Sequence, residues 1–410
     1  MKTASPVVAV CYPAIGHLNL MVPVIESLRA RDVAVHVMTS ADLRPEVERA
    51  GGHFIDLFTR YPLDQADATT MPRPARAVSF AAAFAEPLSD EVAALSPSLI
   101  LYDTFSVVAP VIAKRLGLPY VNVCGNHAAV PERTIAALHE DGRVAISAEC
   151  WAAVERLREV HGMSDANPFS YVEALSPFLN LYPEPAEFLT EPDRAAFEPL
   201  AFFGSLAPSV RYATGGRAFP RGSDRRKVLV SFGTVIWRYY EAEALAALAT
   251  ISAASADLEL EVVVSLGHEP LNAEALASLR RSNVQVEAFP DVDQWALLAE
   301  ADLFITHHGI NSTHEAVFHE VPMLSYPFFG DQPDLARRCQ ELGLAVPLAA
   351  EPRAVITPDD VRNAITRVDE DRSGFAARLA EARTWELRTI AGREQTVDRI
   401  LELAAGAERR

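Results

Sequence analysis

Cysteine is scarce in this chain of 410 residues, which contains four in total. No two of them form a C-x-x-C pair, so the sequence indicates neither a zinc ribbon nor a disulfide framework. We therefore expect a reducing, cytoplasmic environment. The four positions are Cys11, Cys124, Cys150 and Cys339.

Long apolar runs and an excess of basic residues are also missing. No stretch approaches the roughly 18 apolar residues of a membrane-spanning helix, and residues 1–17 hold one lysine and too short an apolar run for a signal peptide. The net charge of −18 argues against a nucleic-acid surface, which would show a basic patch. A single diphosphate remains a possible ligand, because a helix start binds it locally.

The apolar fraction of 50% and the length suffice for two hydrophobic cores, which excludes a disordered chain. Strand-like and helix-like segments alternate, as is typical of an α/β fold with a mainly parallel sheet covered on both faces. The predicted strands are residues 7–12, 33–39, 98–102, 120–124, 228–232, 258–266, 284–289 and 303–306. The predicted helices are residues 20–31, 45–50, 106–116, 243–250, 273–280 and 294–300.

Residues 204–227 are rich in Gly, Pro, Ser and Arg and have neither helical nor strand periodicity, which is typical of a linker. We predict a first domain at 1–205, a linker at 206–226 and a second domain at 227–385. The tail at 386–410 is predicted to be helical.

The most informative segment is 301–338, where a predicted strand is followed by a polar turn and a helix from Thr313 onward. The turn lies where main-chain N–H groups of a helix start face outward, so it is suited to a diphosphate. Gly309 permits close approach of the main chain, while Asn311, Ser312 and His307 offer hydrogen-bonding groups.

This segment resembles the nucleotide-sugar motif of the family-1, GT-B-type glycosyltransferases, whose bacterial members include macrolide and other natural-product enzymes. The resemblance implies two Rossmann-like, doubly wound domains facing a central cleft, with the last helix returning to the first domain. It also implies that His307, Asn311 and Ser312 hold the diphosphate, Glu315 the ribose, and Asp331 and Gln332 the donor sugar. The matching positions are Thr306, His307, Gly309, Asn311, Ser312, Thr313, Glu315, Val321, Pro322, Asp331 and Gln332.

Further donor contacts are expected at two places. Ser231, Gly233 and Thr234 resemble the family's Ser-x-Gly-Ser/Thr turn, although a plain strand-to-loop turn would have the same composition. The family's Trp-x-Pro-Gln pattern is missing, so we expect Phe289 to stack on the base in place of the Trp, whereas Trp295 packs on its helix. Val292 and Gln294 complete the predicted donor site.

Structural alternatives exist for several of these residues. Ser312 and Glu315 have the spacing of a helix capping box, and Asp293 would cap a helix starting at residue 294. A metal site formed by His307, His308, His314 and Glu315 is disfavoured, because adjacent residues of an extended segment point to opposite faces. Asp291 and Asp293 form an Asp-x-Asp motif, for which we prefer the capping role. The sequence thus predicts no metal.

His17 and Asp103 each follow a predicted strand of the first domain, where residues of an open α/β sheet line the ligand crevice. A carboxylate behind a histidine orients the ring and stabilises the imidazolium, as a general base requires. The family resemblance also implies this role, through the Gly16-His17-Leu18-Asn19 loop. Leu20 replaces the family's usual proline. Alternatively, Asn19 merely caps a helix and His17 is an exposed loop residue.

The acceptor is expected to contact Phe80, Phe84, Asn126, His127 and Trp151 of the first domain, although Phe80 and Phe84 are also spaced as ordinary core residues. The aperiodic segment 60–76 is a candidate loop over the acceptor.

We therefore predict an inverting, metal-independent glycosyltransferase without a cofactor. It would move a hexose from UDP or TDP to a hydroxyl of a small, apolar acceptor, as a monomer or homodimer. A nucleotide-sugar epimerase or hydrolase, or a non-catalytic helper of another transferase, is the alternative.

Overall fold

The computed structural model describes residues 5–63, 76–142, 144, 146–207, 219, 224–267, 271, 273–288 and 292–407. The chain forms two compact units, one of residues 1–210 with 388–410 and the other of residues 211–387. We refer to them as unit 1 and unit 2.

In its described part, unit 1 is built on a seven-stranded sheet whose neighbouring strands all run parallel. The strands are β1 (Val7–Val10), β2 (Val35–Thr39), β3 (His53–Asp56), β4 (Leu99–Asp103), β5 (Tyr120–Val123), β6 (Leu179–Tyr182) and β7 (Leu200–Phe202). Their order is β3-β2-β1-β4-β5-β6-β7. Every residue of β1, β4 and β5 is buried, as expected for parallel strands with helices on both faces.

Helices connect these strands and cover the sheet. They are α1 (Ile15–Arg29), α2 (Arg44–Arg49), α3 (Arg76–Ala94), α4 (Val108–Leu116), α5 (Pro131–Glu140), α6 (Ala148–Glu159), α7 (Ser170–Glu173) and α8 (Glu191–Arg194). Short 3-10 helices occur at Ala41–Leu43, Ala186–Phe188 and Ala195–Phe197.

Unit 2 contains a six-stranded parallel sheet among its described residues. The strands are β8 (Arg226–Ser231), β9 (Leu260–Leu266), β10 (Val284–Ala288), β11 (Leu303–Thr306), β12 (Met323–Ser325) and β13 (Ala345–Pro347). Their order is β10-β9-β8-β11-β12-β13.

The remaining helices belong mainly to unit 2. They are α9 (Ile236–Tyr239), α10 (Glu241–Asp257), α11 (Ala273–Leu279), α12 (Gln294–Leu298), α13 (Ile310–Phe318), α14 (Gln332–Glu341), α15 (Pro358–Glu370), α16 (Arg372–Ala391) and α17 (Arg393–Ala407). The division places α17 in unit 1. There Arg393 donates hydrogen bonds to the carbonyls of Phe203, Gly204 and Leu206.

The strand order of each sheet reverses at one place. In unit 1 this switch lies between β1 and β4, and in unit 2 between β8 and β11. Doubly wound sheets bind ligands outside the carboxyl ends of the strands at such a switch. The predicted α/β alternation is confirmed. The loops after these four strands are the places where a doubly wound sheet binds a ligand.

Among the described residues, none of the helices combines the length and the apolar character that crossing a bilayer requires.

Candidate active site

The first functional cluster lies at the switch of unit 1 and is centred on Asp103, which ends β4 and is 1% exposed. One carboxylate oxygen is 3.0 Å from Nδ1 of His17 and accepts the main-chain N–H of Phe105 at 2.9 Å. The other accepts the N–H of Tyr12 at 2.6 Å and the hydroxyl of Ser106 at 2.7 Å. Four partners thus fix the orientation of the carboxylate.

These hydrogen bonds also determine the charge of Asp103. Burial would raise its pKa, but the hydrogen bonds from His17, Ser106 and the Tyr12 main chain outweigh burial and lower the pKa below its ordinary value. An ionised carboxylate only accepts, so Nδ1 of His17 carries the proton. The lone pair of the neutral ring is then on Nε2, which is the form of a general base.

The imidazole of His17 is held on its faces as well as at Nδ1. The ring of Phe105 lies 4.6 Å from it, centroid to centroid, and the ring of Tyr12 lies 5.7 Å away. A Cβ added to Gly125, after β5, would lie 3.2 Å from Cε1 of His17. The His17 side chain is 16% exposed, so solvent reaches it.

The prediction that His17 lies in a loop before a helix at 20–31 is wrong, because α1 begins before His17. The carbonyl of Ala14 accepts the N–H groups of His17 at 3.0 Å and Leu18 at 3.1 Å and so begins the helix. Asn19 and Leu20 consequently lie inside α1, and neither caps it. A helix whose N-cap residue makes no side-chain hydrogen bond leaves no signal in the side-chain pattern.

The second cluster lies at the switch of unit 2, around His307, which directly follows β11. Its imidazole is flanked by Gly233 and Gly309, and a Cβ on either glycine would lie 2.6 Å from Nε2. Gly233 also has φ +72°, a backbone conformation that glycine adopts without strain. Two glycines are therefore required for the seat that His307 occupies.

His307 is 8% exposed, so its imidazole is almost completely buried. Burial lowers the pKa of His307 to about 4, and the main chain of Ser231 opposes this only in part. The ring is therefore neutral at pH 7.

Helix α13 starts beside this seat, and its N-cap residue, Gly309, has no side chain that could cap the first turn. Its first main-chain N–H groups have no intrahelical acceptor, which makes the helix start suited to an anion. Asn311 and Ser312 lie inside this first turn. The capping-box alternative for Ser312 and Glu315 is therefore wrong, since both residues follow the actual N-cap.

Gln294 connects two other predicted donor residues. Its Nε2 donates to Oε2 of Glu315 at 2.6 Å and to the hydroxyl of Ser312 at 3.1 Å. Burial raises the pKa of Glu315 to about 7; the hydrogen bond from Gln294 lowers it, while the charge of Asp293 raises it further. Val292 is buried just before the start of α12, the helix that Gln294 begins. Phe289 lies outside the described residues.

The capping role of Asp293 is confirmed, because Oδ1 accepts the N–H of Ala296 at 3.0 Å. Its partner in the Asp-x-Asp motif, Asp291, lies outside the described residues. Trp295 packs on the end of α13, with its ring 5.0 Å from that of Phe318 and 4.4 Å from that of His319.

The predicted extended conformation of the 307–308 segment is wrong, because His308 has φ +61°. His308 is fully buried, with Nε2 2.8 Å from the hydroxyl of Ser325. His314 is also fully buried and pairs with Glu386. Where the structure describes the chain, it contains no group of three or more His, Cys, Asp or Glu able to hold a metal.

Gln332 and Asp331 lie at the start of α14. Oε1 of Gln332 accepts the N–H groups of Phe328 at 2.9 Å and Phe329 at 3.3 Å, so this side chain braces the preceding loop. Asp331 occupies the N-cap position and is half-buried. Ser231 is buried at the end of β8, and Thr234 is half-buried in the turn that follows.

The predicted acceptor residues of unit 1 have different environments. Phe80 is buried in the core, and Phe84 packs on it with ring centroids 5.1 Å apart, as in the core alternative. His127 is 3% exposed and lies 3.0 Å from a carboxylate oxygen of Glu184. Asn126 is half-buried, and Trp151 is 47% exposed. Most of the predicted acceptor loop, residues 64–75, lies outside the described part.

Several residues of these clusters were missed from the sequence. Ser106 and Gly125 each follow a predicted strand closely, and that position was a usable signal. Glu184 lies in no motif, and only its contact with His127 reveals it.

Comparison with known proteins agrees with this architecture. Residues 219–376 match the profile of the family described as UDP-glucoronosyl and UDP-glucosyl transferase. The chain is 24% identical over 375 residues to the NDP-glycosyltransferase YjiC of Bacillus subtilis (strain 168), covering 88% of each protein. It is 27% identical over 407 residues to the oleandomycin glycosyltransferase of Streptomyces antibioticus, covering 96% of this chain and 90% of that protein.

Solved structures share the fold. The glycotransferase of kitacinnamycin aligns with a TM-score of 0.77 at 22% identity, covering 98% of this chain and 99% of that one. The calicheamicin glycosyltransferase CalG4 gives 0.73 at 21%, with 99% of both chains covered. The glycosyltransferase VinC, solved in complex with DTDP, gives 0.68 at 20%, covering 99% of this chain and 100% of that one.

Two parallel-sheet, Rossmann-like units of this kind form the GT-B fold, which the chain shares with these solved glycosyltransferases. The family resemblance predicted from the sequence is thereby confirmed. In sequence, the chain is similar to bacterial glycosyltransferases, among them the oleandomycin enzyme.

Proposed function

We propose that this chain transfers a hexose from a UDP- or TDP-linked donor to a hydroxyl of a small natural product, with inversion at the anomeric carbon. The observation that carries the proposal is the pair formed by His17 and Asp103 at the switch of unit 1. Nδ1 of the imidazole is hydrogen-bonded to an ionised carboxylate, and Nε2 on the other side of the ring can accept a proton. This arrangement is what deprotonation of an alcohol requires.

In the proposed step, Nε2 of His17 takes the proton of the acceptor hydroxyl while its oxygen forms a bond to the anomeric carbon. The bond between that carbon and the β-phosphate oxygen breaks, and its electron pair leaves with the nucleoside diphosphate. Asp103 keeps the ring oriented and stabilises the imidazolium. No covalent bond to the protein forms, so a single displacement inverts the configuration.

The seat of His307 supports the assignment of the donor to unit 2. The start of α13 and the N–H of a neutral imidazole would stabilise the charge developing on the leaving diphosphate. Glu315 would then meet the ribose hydroxyls. Asp331 and Gln332 would meet the sugar, with the amide nitrogen of Gln332 as the contact because its oxygen holds the preceding loop.

Donor binding is tested by isothermal titration of protein treated with EDTA, using UDP, TDP and their glucose conjugates. We expect either the uridine or the thymidine nucleotides to bind preferentially, and we expect His307→Ala to weaken that binding. Glu198→Gln, an exposed residue distant in sequence from both clusters, serves as a matched surface control. If neither diphosphate binds, the donor assignment is refuted.

Transfer is tested by release of the nucleoside diphosphate in the presence of a panel of hydroxylated acceptors. His17→Ala should abolish transfer and keep donor binding, and the product should carry the anomeric configuration opposite to that of the donor. Retained transfer in that variant would refute the assigned base. Donor consumption without an acceptor would favour a hydrolase or epimerase, and donor binding without turnover would favour a helper protein.

A further inference from the structure

Trp237 lies next to the seat of His307 and takes part in none of the motifs described above. It belongs to α9 and is 4% exposed. Its indole N–H donates a hydrogen bond of 3.0 Å to the carbonyl of Gly233. This contact connects a buried, rigid ring to one of the two glycines that flank His307.

Space for the indole is provided by Gly267, the residue after β9. A Cβ added at Gly267 would lie 2.2 Å from Cδ1 of Trp237, far inside van der Waals contact. Strands β8 and β9 are neighbours with Ser231 opposite Ser265, so the segments that follow them leave the same edge of the sheet. Any larger residue at 267 must therefore displace the indole.

The hydrogen bond matters because Gly233 has little conformational preference of its own. Glycine populates positive and negative φ about equally, so an unrestrained Gly233 would not hold the φ of +72° that the turn requires. The indole N–H selects the conformation in which the carbonyl points toward it. In that conformation the missing side chain of Gly233 leaves room for Nε2 of His307.

We propose that Trp237 is a positioning residue for diphosphate binding, acting through Gly233 on His307, and that Gly267 is required because it accommodates the indole. The proposal rests on the proposed function of unit 2 as the site of a nucleoside diphosphate. Trp237 itself touches no donor atom in this scheme. Its effect is confined to the part of the ligand that meets His307.

The first test compares Trp237→Phe with the unchanged protein by titration with UDP or TDP, whichever binds. Phenylalanine keeps most of the ring volume and removes the N–H. The loss of one buried hydrogen bond should raise the Kd of the diphosphate about three- to tenfold. The Kd of the matching nucleoside, followed by ligand-observed NMR, should change less than about twofold, because it has no phosphate.

Trp295→Phe is the matched control, since Trp295 packs on Phe318 and His319 in the same unit. It should leave the Kd of the diphosphate unchanged. Circular dichroism and thermal unfolding verify that each variant is folded. Equal weakening of nucleoside and diphosphate by Trp237→Phe would indicate a general packing role and overturn the proposal.

The second test asks whether Gly267 acts through the indole. Gly267→Ala should weaken diphosphate binding at least as much as Trp237→Phe. The same change made in Trp237→Ala protein should add less than about twofold, because the clashing ring is gone. An equal effect in both backgrounds would overturn the proposal. If the unchanged protein binds neither UDP nor TDP, the proposed function itself fails; if it binds and Trp237→Phe has no effect, only the positioning role fails.

Discussion

Replacing Asp103 by Asn is the most discriminating change that the structure offers. The side chain keeps its shape but has one accepting oxygen where the carboxylate has two. If the NH2 group replaces the oxygen near His17, it faces the N–H of Phe105 and forces Nδ1 of the ring to accept. If it replaces the other oxygen, it faces the N–H of Tyr12, while the hydroxyl of Ser106 can rotate to accept.

Either orientation of the introduced amide therefore leaves a buried main-chain donor facing another donor. An unsatisfied buried donor costs about 1–3 kcal/mol, so the free energy of unfolding should fall by about that amount. The orientation that keeps the hydrogen bond from the N–H of Tyr12 places the NH2 group near His17. It therefore also reverses the tautomer of His17 and puts the proton on Nε2. A base in the wrong tautomer loses on the order of 10²–10⁴ in kcat.

The loss of stability is measured by urea unfolding at pH 7, and the loss of transfer by release of the nucleoside diphosphate. Donor affinity should stay unchanged, because the donor is assigned to unit 2. Glu198→Gln again provides a carboxylate-to-amide control at an exposed position. Full stability together with full turnover in Asp103→Asn would refute the argument that the four hydrogen bonds prepare His17.

Two further predictions concern unit 2. Gly309→Ala should weaken diphosphate binding about tenfold or more, because its Cβ would lie 2.6 Å from Nε2 of His307. The control Gly406→Ala, whose Cβ would have no atom within 4 Å, should leave binding unchanged. Equal affinities of the two variants in a titration would contradict the assigned position of His307 beside the diphosphate. Glu315 has a folded pKa of about 7 against 4.5, so its contribution to stability is present below pH 4.5 and is lost as the pH rises through 7. In urea unfolding, the free energy of unfolding of Glu315→Gln should therefore rise relative to that of the unchanged protein by up to about 3 kcal/mol between pH 4.5 and pH 7. If the two proteins lose stability in parallel over this range, the raised pKa is excluded.

The two units use the same architectural position for different chemistry. His17 follows β1 and Asp103 ends β4, while Gly233 follows β8 and His307 follows β11. In unit 1 a buried carboxylate keeps the histidine in a proton-accepting tautomer. In unit 2 burial lowers the pKa of the histidine to about 4, so the ring stays neutral beside a helix start. The same fold thus provides a candidate general base in unit 1 and a candidate anion-binding site in unit 2, because the surroundings of the two imidazoles differ.

Local patterning was enough to predict the alternating strands and helices, because apolar periodicity and turn residues act over a few neighbouring positions. The prediction failed at the first turn of α1, where a main-chain carbonyl begins the helix and leaves no trace in the residue types. It also failed at His308, which has a positive φ and whose ring lies within hydrogen-bond distance of Ser325 and Thr313.

The sequence by itself determined the α/β class, the strand-end positions of His17 and Asp103, and the motif around His307, since each depends on residues close together in the chain. Only the tertiary structure decided how these groups are completed. The four hydrogen bonds on Asp103 and the contact of Trp237 with Gly267 join segments that are distant in sequence. Such contacts depend on which strands become neighbours and how closely their main chains approach, and a local pattern does not encode either distance.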